Sequence, residues 1–322
     1  MSNHNILITS AGRRVELVQA FQYELKGFFS EAKVFTTDIS PELSPACQVA
    51  DGFWAVPRVT EADYIDTLLS LCINNSIGMV IPTIDTELEI LAESREKFQE
   101  SGIEVVISSK ALITECRDKR QTGLLFDRIG VNYPDLLDKN SLSFPCFAKP
   151  YDGSCSVGAV ALYDKKELTS ALLNNEKMMF MELVDEQHTE YTVDAYYAQD
   201  GGLKCLVPRE RIEVRAGEVS KGVTRKYEVY NYLLPACKRL EGGRGCLTIQ
   251  VFADLDRNSF YGLEINPRFG GGYPLSYSAG ANYPRWLISE YLLGDEIEFY
   301  DQWESDLLML RYDAKTLVHG YE

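Results

Sequence analysis

Histidine is scarce in this chain: His4, His188 and His319 are the only three in 322 residues, and they stand far apart at no metal-ligand spacing. The eight cysteines are scattered without a CxxC pair, so the spacing encodes neither a zinc site nor a redox dithiol. No apolar run approaches the roughly 18 residues that cross a bilayer. The first five residues lack the basic start and apolar stretch of a secretory signal. Basic residues are the minority, since 32 Lys and Arg against 48 Asp and Glu give a net charge of −16. Such an acidic surface repels phosphate backbones and anionic headgroups, which argues for no nucleic acid and no membrane as partner. Repeats, low-complexity tracts and a GxSxG elbow are also missing, and no Ser/His/Asp or Cys/His set stands out. Nucleophilic catalysis by the protein is therefore not expected. Reduced thiols in a chain with a large core fit a cytoplasmic enzyme.

What is present is an ordinary globular composition, 45% hydrophobic and 25% charged. The first hundred residues alternate strand and helix signals: strands at 5–9, 33–37, 79–81 and 104–107, with helices at 13–25, 62–74 and 84–100. That alternation predicts an open parallel sheet with helices on both faces. From residue 146 strands dominate, at 146–149, 157–162, 178–183, 190–197, 203–214, 246–252 and 260–265. The second half reads as α+β with mostly antiparallel sheet.

Several stretches invite a chemical reading. Thr9-Ser10-Ala11-Gly12-Arg13-Arg14 with Asp38 after the second strand suggests dinucleotide binding, but only one of the three required glycines is there. Thr83, Asp85 and Glu87 follow a strand, where a doubly wound sheet offers its binding edge. They read equally well as a helix cap with an acidic first turn. Gly153-Ser154-Cys155-Ser156-Val157-Gly158 has P-loop spacing, but Ala159 replaces the lysine and excludes a Walker A site. The most informative stretch is Glu264-Ile-Asn266-Pro-Arg268 ahead of three glycines, with Gln250 in the preceding strand. Residues two apart on a strand share a face, so Glu264 and Asn266 project together, and Gln250 on an antiparallel neighbour would join them. Three oxygen-bearing side chains suit magnesium, which fills its remaining positions with phosphate and water. A plain ion pair between Glu264 and Arg268 is the competing reading. It leaves the Asn-Pro and the triple glycine unexplained.

In order along the chain these residues resemble the ATP-grasp superfamily, and within it single-module proteins similar to half of the carbamoyl phosphate synthase large subunit. Phe147-Ala-Lys149-Pro150 and Met181-Glu-Leu-Val184 followed by Glu190-Tyr-Thr-Val-Asp194 carry the resemblance further. It implies an α/β plus α+β architecture. Residues 1–108 would form a Rossmann-like pre-ATP-grasp domain, 109–183 a lid subdomain with linking helices, and 184–322 the large C-terminal subdomain. It implies ATP and Mg2+, or Mn2+ in its place, as cofactors. Lys119 and Lys149 would meet the phosphates, with Gly153 and Ser154 in the loop that covers them. Glu182 and Val184 would hold adenine, and Glu190 the ribose. Gln250, Glu264 and Asn266 would ligate the metal, and Arg268 would lie beside the transferred phosphoryl group.

The basic run Arg209, Arg211, Arg215, Lys221, Arg225 and Lys226 is unusual in so acidic a chain. It reads either as a solvated strand face or as a collector of anionic substrate, with Lys221 nearest ATP by analogy. Thr83, Asp85, Arg211 and Arg215 are the candidate acceptor contacts. The implied activity is a ligase that activates a small-molecule carboxylate as an acyl phosphate and joins it to an amine or ammonia. Two alternatives stand beside it: carbamoyl phosphate synthase-like phosphorylation of bicarbonate or carbamate with partner chains, and a non-catalytic nucleotide-binding regulator. A homodimer is the expected assembly.

Overall fold

A computed structural model of the chain describes residues 3–153, 157–215 and 217–321. Three sheets organise it. The first is parallel, ordered β3 (Gly52–Ala55), β2 (Val34–Asp38), β1 (Asn5–Ile8), β4 (Ile77–Ile81) and β5 (Glu104–Val105). Its two central strands are nearly continuous apolar runs, β4 being buried at every position, as a sheet covered on both faces requires, while β2 ends in Thr36, Thr37 and Asp38. The expected βαβ alternation is present. The sequence reading missed β3, where Phe53 and Trp54 sit on a half-exposed edge rather than in a buried run. The helix expected over 84–100 breaks at Ser94 into Asp85–Glu93 and Arg95–Gln99.

The C-terminal ends of β1 and β4 open into two turns pinned by one carboxylate. Glu87 is fully buried and accepts from the Thr83 and Ile84 amides at 2.7 and 3.1 Å. It also accepts from Ser10 Oγ at 2.9 Å and the Tyr64 hydroxyl at 3.1 Å. Burial pushes its carboxyl up, and the backbone donors pull against that shift. Asp38 accepts from the Gly12 amide at 3.1 Å, so it shapes the first turn instead of standing free for a ribose.

The second sheet is small and antiparallel, ordered β6 (Leu136–Leu137), β9 (Met178–Glu182), β7 (Cys146–Pro150) and β8 (Val160–Leu162). Its core is correspondingly slight, built on Cys146, Ala148, Leu162 and Phe180. The third sheet is the largest, ordered β14 (Ser259–Asn266), β13 (Gly245–Asp254), β10 (Thr189–Tyr197), β11 (Leu203–Arg215), β12 (Glu218–Thr224) and β15 (Leu308–Leu310). The helix Glu228–Arg239 and the strand β15 were not expected. Val229, Tyr230, Leu233, Ala236 and Cys237 keep helical spacing there, but Pro235 lies inside the helix and argues against one in the sequence.

Register decides what the large sheet presents. Thr192 pairs with Arg209 on one side and Gln250 on the other, and Gln250 pairs in turn with Glu264. Directly opposed residues share a face, so this face is polar across β11, β10, β13 and β14. The opposite face carries Tyr191, Val193, Ile249, Val251 and Ile265, all buried in the main core. No helix among the described residues is long and apolar enough to cross a membrane.

At the inner end of the polar face, Arg209 and Asp194 are almost wholly buried and pair through Nε–Oδ2 at 2.8 Å and Nη2–Oδ1 at 3.1 Å. Ser276 Oγ adds a 2.6 Å bond to the same carboxylate. The guanidinium underlies the glycine turn after β14: a Cβ on Gly272 would come within 2.2 Å of Arg209 Nη1. Removing one member of such a pair strands a buried charge. Asp194→Ala is expected to lose about 3–5 kcal/mol in urea unfolding; a loss under about 1 kcal/mol would show the pair to be dispensable.

Candidate active site

Glu264 and Asn266 alternate onto the polar face of β14 and touch, Asn266 Nδ2 donating to Glu264 Oε1 at 3.0 Å. Gln250 stands directly across the strand pair from Glu264. The other carboxylate oxygen, Oε2, lies 3.6 Å from Lys119 Nζ, with both side chains largely shielded. Lys119 is the first residue of the helix Lys119–Ile129, whose cap Asp118 accepts from the Arg120 amide at 2.9 Å. The helix start therefore delivers an ammonium, while its first backbone donors are taken up by Asp118 and the Tyr151 carbonyl. Lys119 Nζ also donates to the Gly153 carbonyl, and the Lys119 amide bonds to the Tyr151 carbonyl at 3.0 Å. Those bonds tie the helix to the end of β7.

Lys149 on β7 faces the same spot, its Nζ 6.0 Å from the Tyr133 ring centroid. Burial pulls its ammonium down to about 8, the nearby Lys119 charge pulls further, and Glu264 acts in the opposite direction. Two ammonium groups thus converge on one carboxylate. Such a locus is short of negative charge and is suited to an anion.

Glu190 on β10 pairs with Arg211 on β11 on the same face. Burial pushes the Glu190 carboxyl up, Arg211 pulls it down, and Glu264 adds to the rise. Glu182 and Val184 line a cavity of about 160 Å³ together with Leu183, Asp185, His188 and Tyr261. His188 bridges Asp185 at 2.8 Å and Ser259 at 3.1 Å, which holds the strand-to-strand corner beside that cavity.

Arg268 lies just past β14 and pairs with Asp85 across the chain, Nη2 to Oδ2 at 2.8 Å. This contact joins the large sheet to the edge of the parallel sheet. Arg14 was not foreseen as a site residue, yet it belongs to this cluster. Its Nη2 donates to the Thr83 carbonyl at 2.9 Å. Burial lowers its guanidinium to about 10, the Arg268 charge lowers it further, and Glu218, Asp85 and Glu87 act against both. The signal was present in the Arg13-Arg14 turn, but it was read there only against the dinucleotide fingerprint.

Three expected site residues fall elsewhere. Thr83 is fully buried and its hydroxyl donates to the Thr9 and Ser10 carbonyls, so it builds the turn and offers no side chain to a ligand. Arg215 is exposed at the far end of β11 and pairs with Asp313. Lys221, expected next to ATP, is half exposed on β12 and pairs with Glu213 at 2.6 Å. The bulges between Arg211 and Val214 shift the β11–β12 register there. Gly153 lies against Pro150 at the end of β7, and Ser154 lies outside the described residues.

The donor set also says which metal chemistry fits. Gln250, Glu264 and Asn266 provide hard oxygen atoms but one charge, and among the described residues no group of three His, Cys, Asp or Glu could hold a metal ion. Such a set suits Mg2+ arriving with phosphate oxygens rather than a resident ion.

Comparisons with known proteins bear on the fold that carries these residues. Residues 6–106 match the family described as "PylC-like, N-terminal domain". Residues 174–311 match "ATP-grasp in the biosynthetic pathway with Ter operon". No curated protein matches the chain. Among solved structures it is similar to the biotin carboxylase domain of Hydrogenobacter thermophilus 2-oxoglutarate carboxylase, in complex with MgADP and bicarbonate, at 13% identity and TM-score 0.75 over 96% of this chain and 74% of that one. It is similar to the L-amino acid ligase of Bacillus licheniformis at 17% identity and TM-score 0.67, over 91% and 75% of the two chains. It is also similar to N5-carboxyaminoimidazole synthetase of Staphylococcus aureus complexed with ADP, at 16% identity and TM-score 0.70 over 89% and 77%. These likenesses establish the fold.

The depressed Lys149 has a consequence that needs no ligand. The folded chain releases this proton near pH 8, whereas the unfolded chain keeps it to about 10.5. Between those values the unfolded state holds more protons, so stability rises with pH there; below about 8 the buried charge lowers stability in full. Lys149→Met is therefore expected to be more urea-resistant than the parent near pH 7, with the gain shrinking to little as pH approaches about 10.5. A gain independent of pH would contradict the assignment.

Proposed function

We propose, from its membership of the ATP-grasp superfamily with a PylC-like N-terminal domain, that this chain is an ATP- and Mg2+-dependent ligase that activates a carboxylate and joins it to an amine or ammonia. The observation that carries the reading is the convergence of Lys119 and Lys149 on Glu264, with Asn266 bonded to that carboxylate and Gln250 opposite.

Phosphoryl transfer asks a protein mainly for position and charge neutralisation. Lys119 and Lys149 hold the triphosphate from the lid side. Gln250, Glu264 and Asn266 hold the Mg2+ that accompanies it, and the ion neutralises phosphate charge when bound. Glu190 receives the ribose hydroxyls, and the 182–184 segment with its cavity receives the base. Arg268, anchored by Asp85, stands beside the group being transferred. The substrate carboxylate oxygen attacks the γ-phosphorus, and ADP departs with the electron pair of the broken P–O bond. The amine nitrogen then attacks the acyl carbon, the C–O bond to phosphate breaks, and the amine gives up a proton. Closure of the small sheet over the site keeps water from the acyl phosphate.

The finer expectations belong to the same reading. The substrates are a small carboxylate and a small amine. The assembly is a homodimer, as the biotin carboxylase domain named above is. The setting is the cytoplasm, supported by seven buried, unpaired cysteines among the described residues.

The test is ADP release with candidate acid and amine pairs. Lys149→Ala and Glu264→Ala are each expected to lower kcat/KM by about a hundredfold or more. Equal turnover by parent and variants would overturn the assignment, and tight ATP binding without turnover across a broad screen would favour a regulatory protein instead.

A further inference from the structure

A second, larger cavity has no part in the ligase reading. It encloses about 450 Å³ on the back of the large sheet, the face turned away from Gln250 and Glu264. Its floor is Tyr191 on β10, with Glu210 directly opposite on β11 and Ala253 on β13. The start of the helix Glu228–Arg239, the turn after β13 and the segment before β15 supply the walls.

Two independent features say what fits there. The first is Tyr191, which is only 3% exposed and lines the cavity, yet whose hydroxyl makes no hydrogen bond among the described residues. Burial pushes that phenol up to about 12, Glu210 and Glu228 add to the rise, and Arg225 opposes it. The hydroxyl is therefore uncharged at neutral pH and has lone pairs open to a donor. The second feature is charge: five carboxylates line the cavity against one guanidinium, that of Arg225. Arg225 is shared between Glu210 at 2.9 Å and Asp306 at 2.5 Å, and Asp254 is held by Arg257. Glu228 and Asp256 have no ion-pair partner among the described residues.

These acids do not converge on a point, since among the described residues no group of three His, Cys, Asp or Glu could hold a metal ion. Glu228 and Asp256 stand on separate walls, and the Tyr227 ring, 64% exposed, borders Glu228. Water could meet the Tyr191 hydroxyl but brings no charge to the carboxylates. A ligand with positive charges spaced along an apolar chain answers all of these features, because ammonium groups pair with separated carboxylates and methylenes lie against aromatic rings. We propose that this cavity binds an aliphatic di- or polyamine, one ammonium donating to the Tyr191 hydroxyl and Glu228, another reaching Asp256, with the methylenes against Tyr227 and Leu255. The sheet separates this amine from the polar face, so it is not the amine that the ligase reading joins to a carboxylate. The proposal stands whether or not that reading does.

Calorimetry of the full chain with spermidine, putrescine and butylamine tests this, at about 0.15 M salt so that diffuse attraction to a chain of net charge −16 is screened. Spermidine and putrescine are expected to bind one to one, and butylamine, with a single charge, at least about tenfold more weakly. Tyr191→Phe removes only the hydroxyl, and Glu228→Gln alters an exposed side chain. Each is expected to raise the putrescine Kd about fivefold or more. Glu31→Gln, the same loss of charge at an exposed position of the parallel-sheet domain, is expected to leave that Kd within about twofold of the parent. Glu264→Gln is expected to leave it there too; a loss as large as that of Glu228→Gln would put the amine on the polar face and overturn the proposal. Absence of heat, many weak sites in place of one, or equal affinity for butylamine would each overturn it. So would equal weakening by Glu31→Gln and Glu228→Gln, or a Tyr191→Phe variant that unfolds in urea like the parent and binds putrescine as well.

Discussion

A shortage of negative charge at one point organises this molecule. The chain as a whole carries −16, yet Lys119 and Lys149 are gathered around the single carboxylate of Glu264, and Arg14 and Arg268 crowd against Asp85 a short way along the same edge. Burying cations costs free energy, and a second cation alongside adds to it; the depressed Lys149 and Arg14 groups register burial first and the neighbouring charge second. The rest of the fold can be read as what keeps those cations from moving apart: Asp118 capping the helix under Lys119, β7 and β9 holding Lys149, and the Arg209–Asp194 pair underpinning the glycine turn that follows Arg268. Polyphosphate with its metal ion, and an anionic substrate, are the species that would relieve the strain.

The same constraint divides labour among the sheets. The large antiparallel sheet supplies a stiff polar face whose register decides which side chains meet. The small sheet, with a core of few residues, is the part most easily displaced and so the part suited to opening and closing. The parallel sheet contributes its strand ends, where Glu87 ties two turns together and leaves Asp85 and Arg14 facing the neighbouring sheet.

The residues that differ most from their sequence reading do so for identifiable reasons. Lys221 and Arg215 belong to a basic run on β11 and β12, but β-bulges carry that end of the hairpin out to solvent, where Glu213 and Asp313 pair with them. Thr83 sits at the expected sheet edge and is consumed by the turn it helps to build. Asp85, its neighbour but one, reaches the site because its partner Arg268 lies on another sheet.

Sequence alone determined the alternation of strands and helices in the first hundred residues and the antiparallel character of the second half, since apolar periodicity is a local property. It also determined that Glu264 and Asn266 share a face, because residues two apart on a strand must. The opposition of Gln250 to Glu264, the meeting of Lys119 with Lys149, and the pairing of Arg268 with Asp85 were decided by tertiary structure. Each depends on register between strands or on contact between sheets, which no pattern within a short stretch of chain can specify. Arg14 shows the difference most directly: as a letter it closes a turn, and it becomes part of a charged cluster only because another guanidinium, 254 positions further along, is folded close to it.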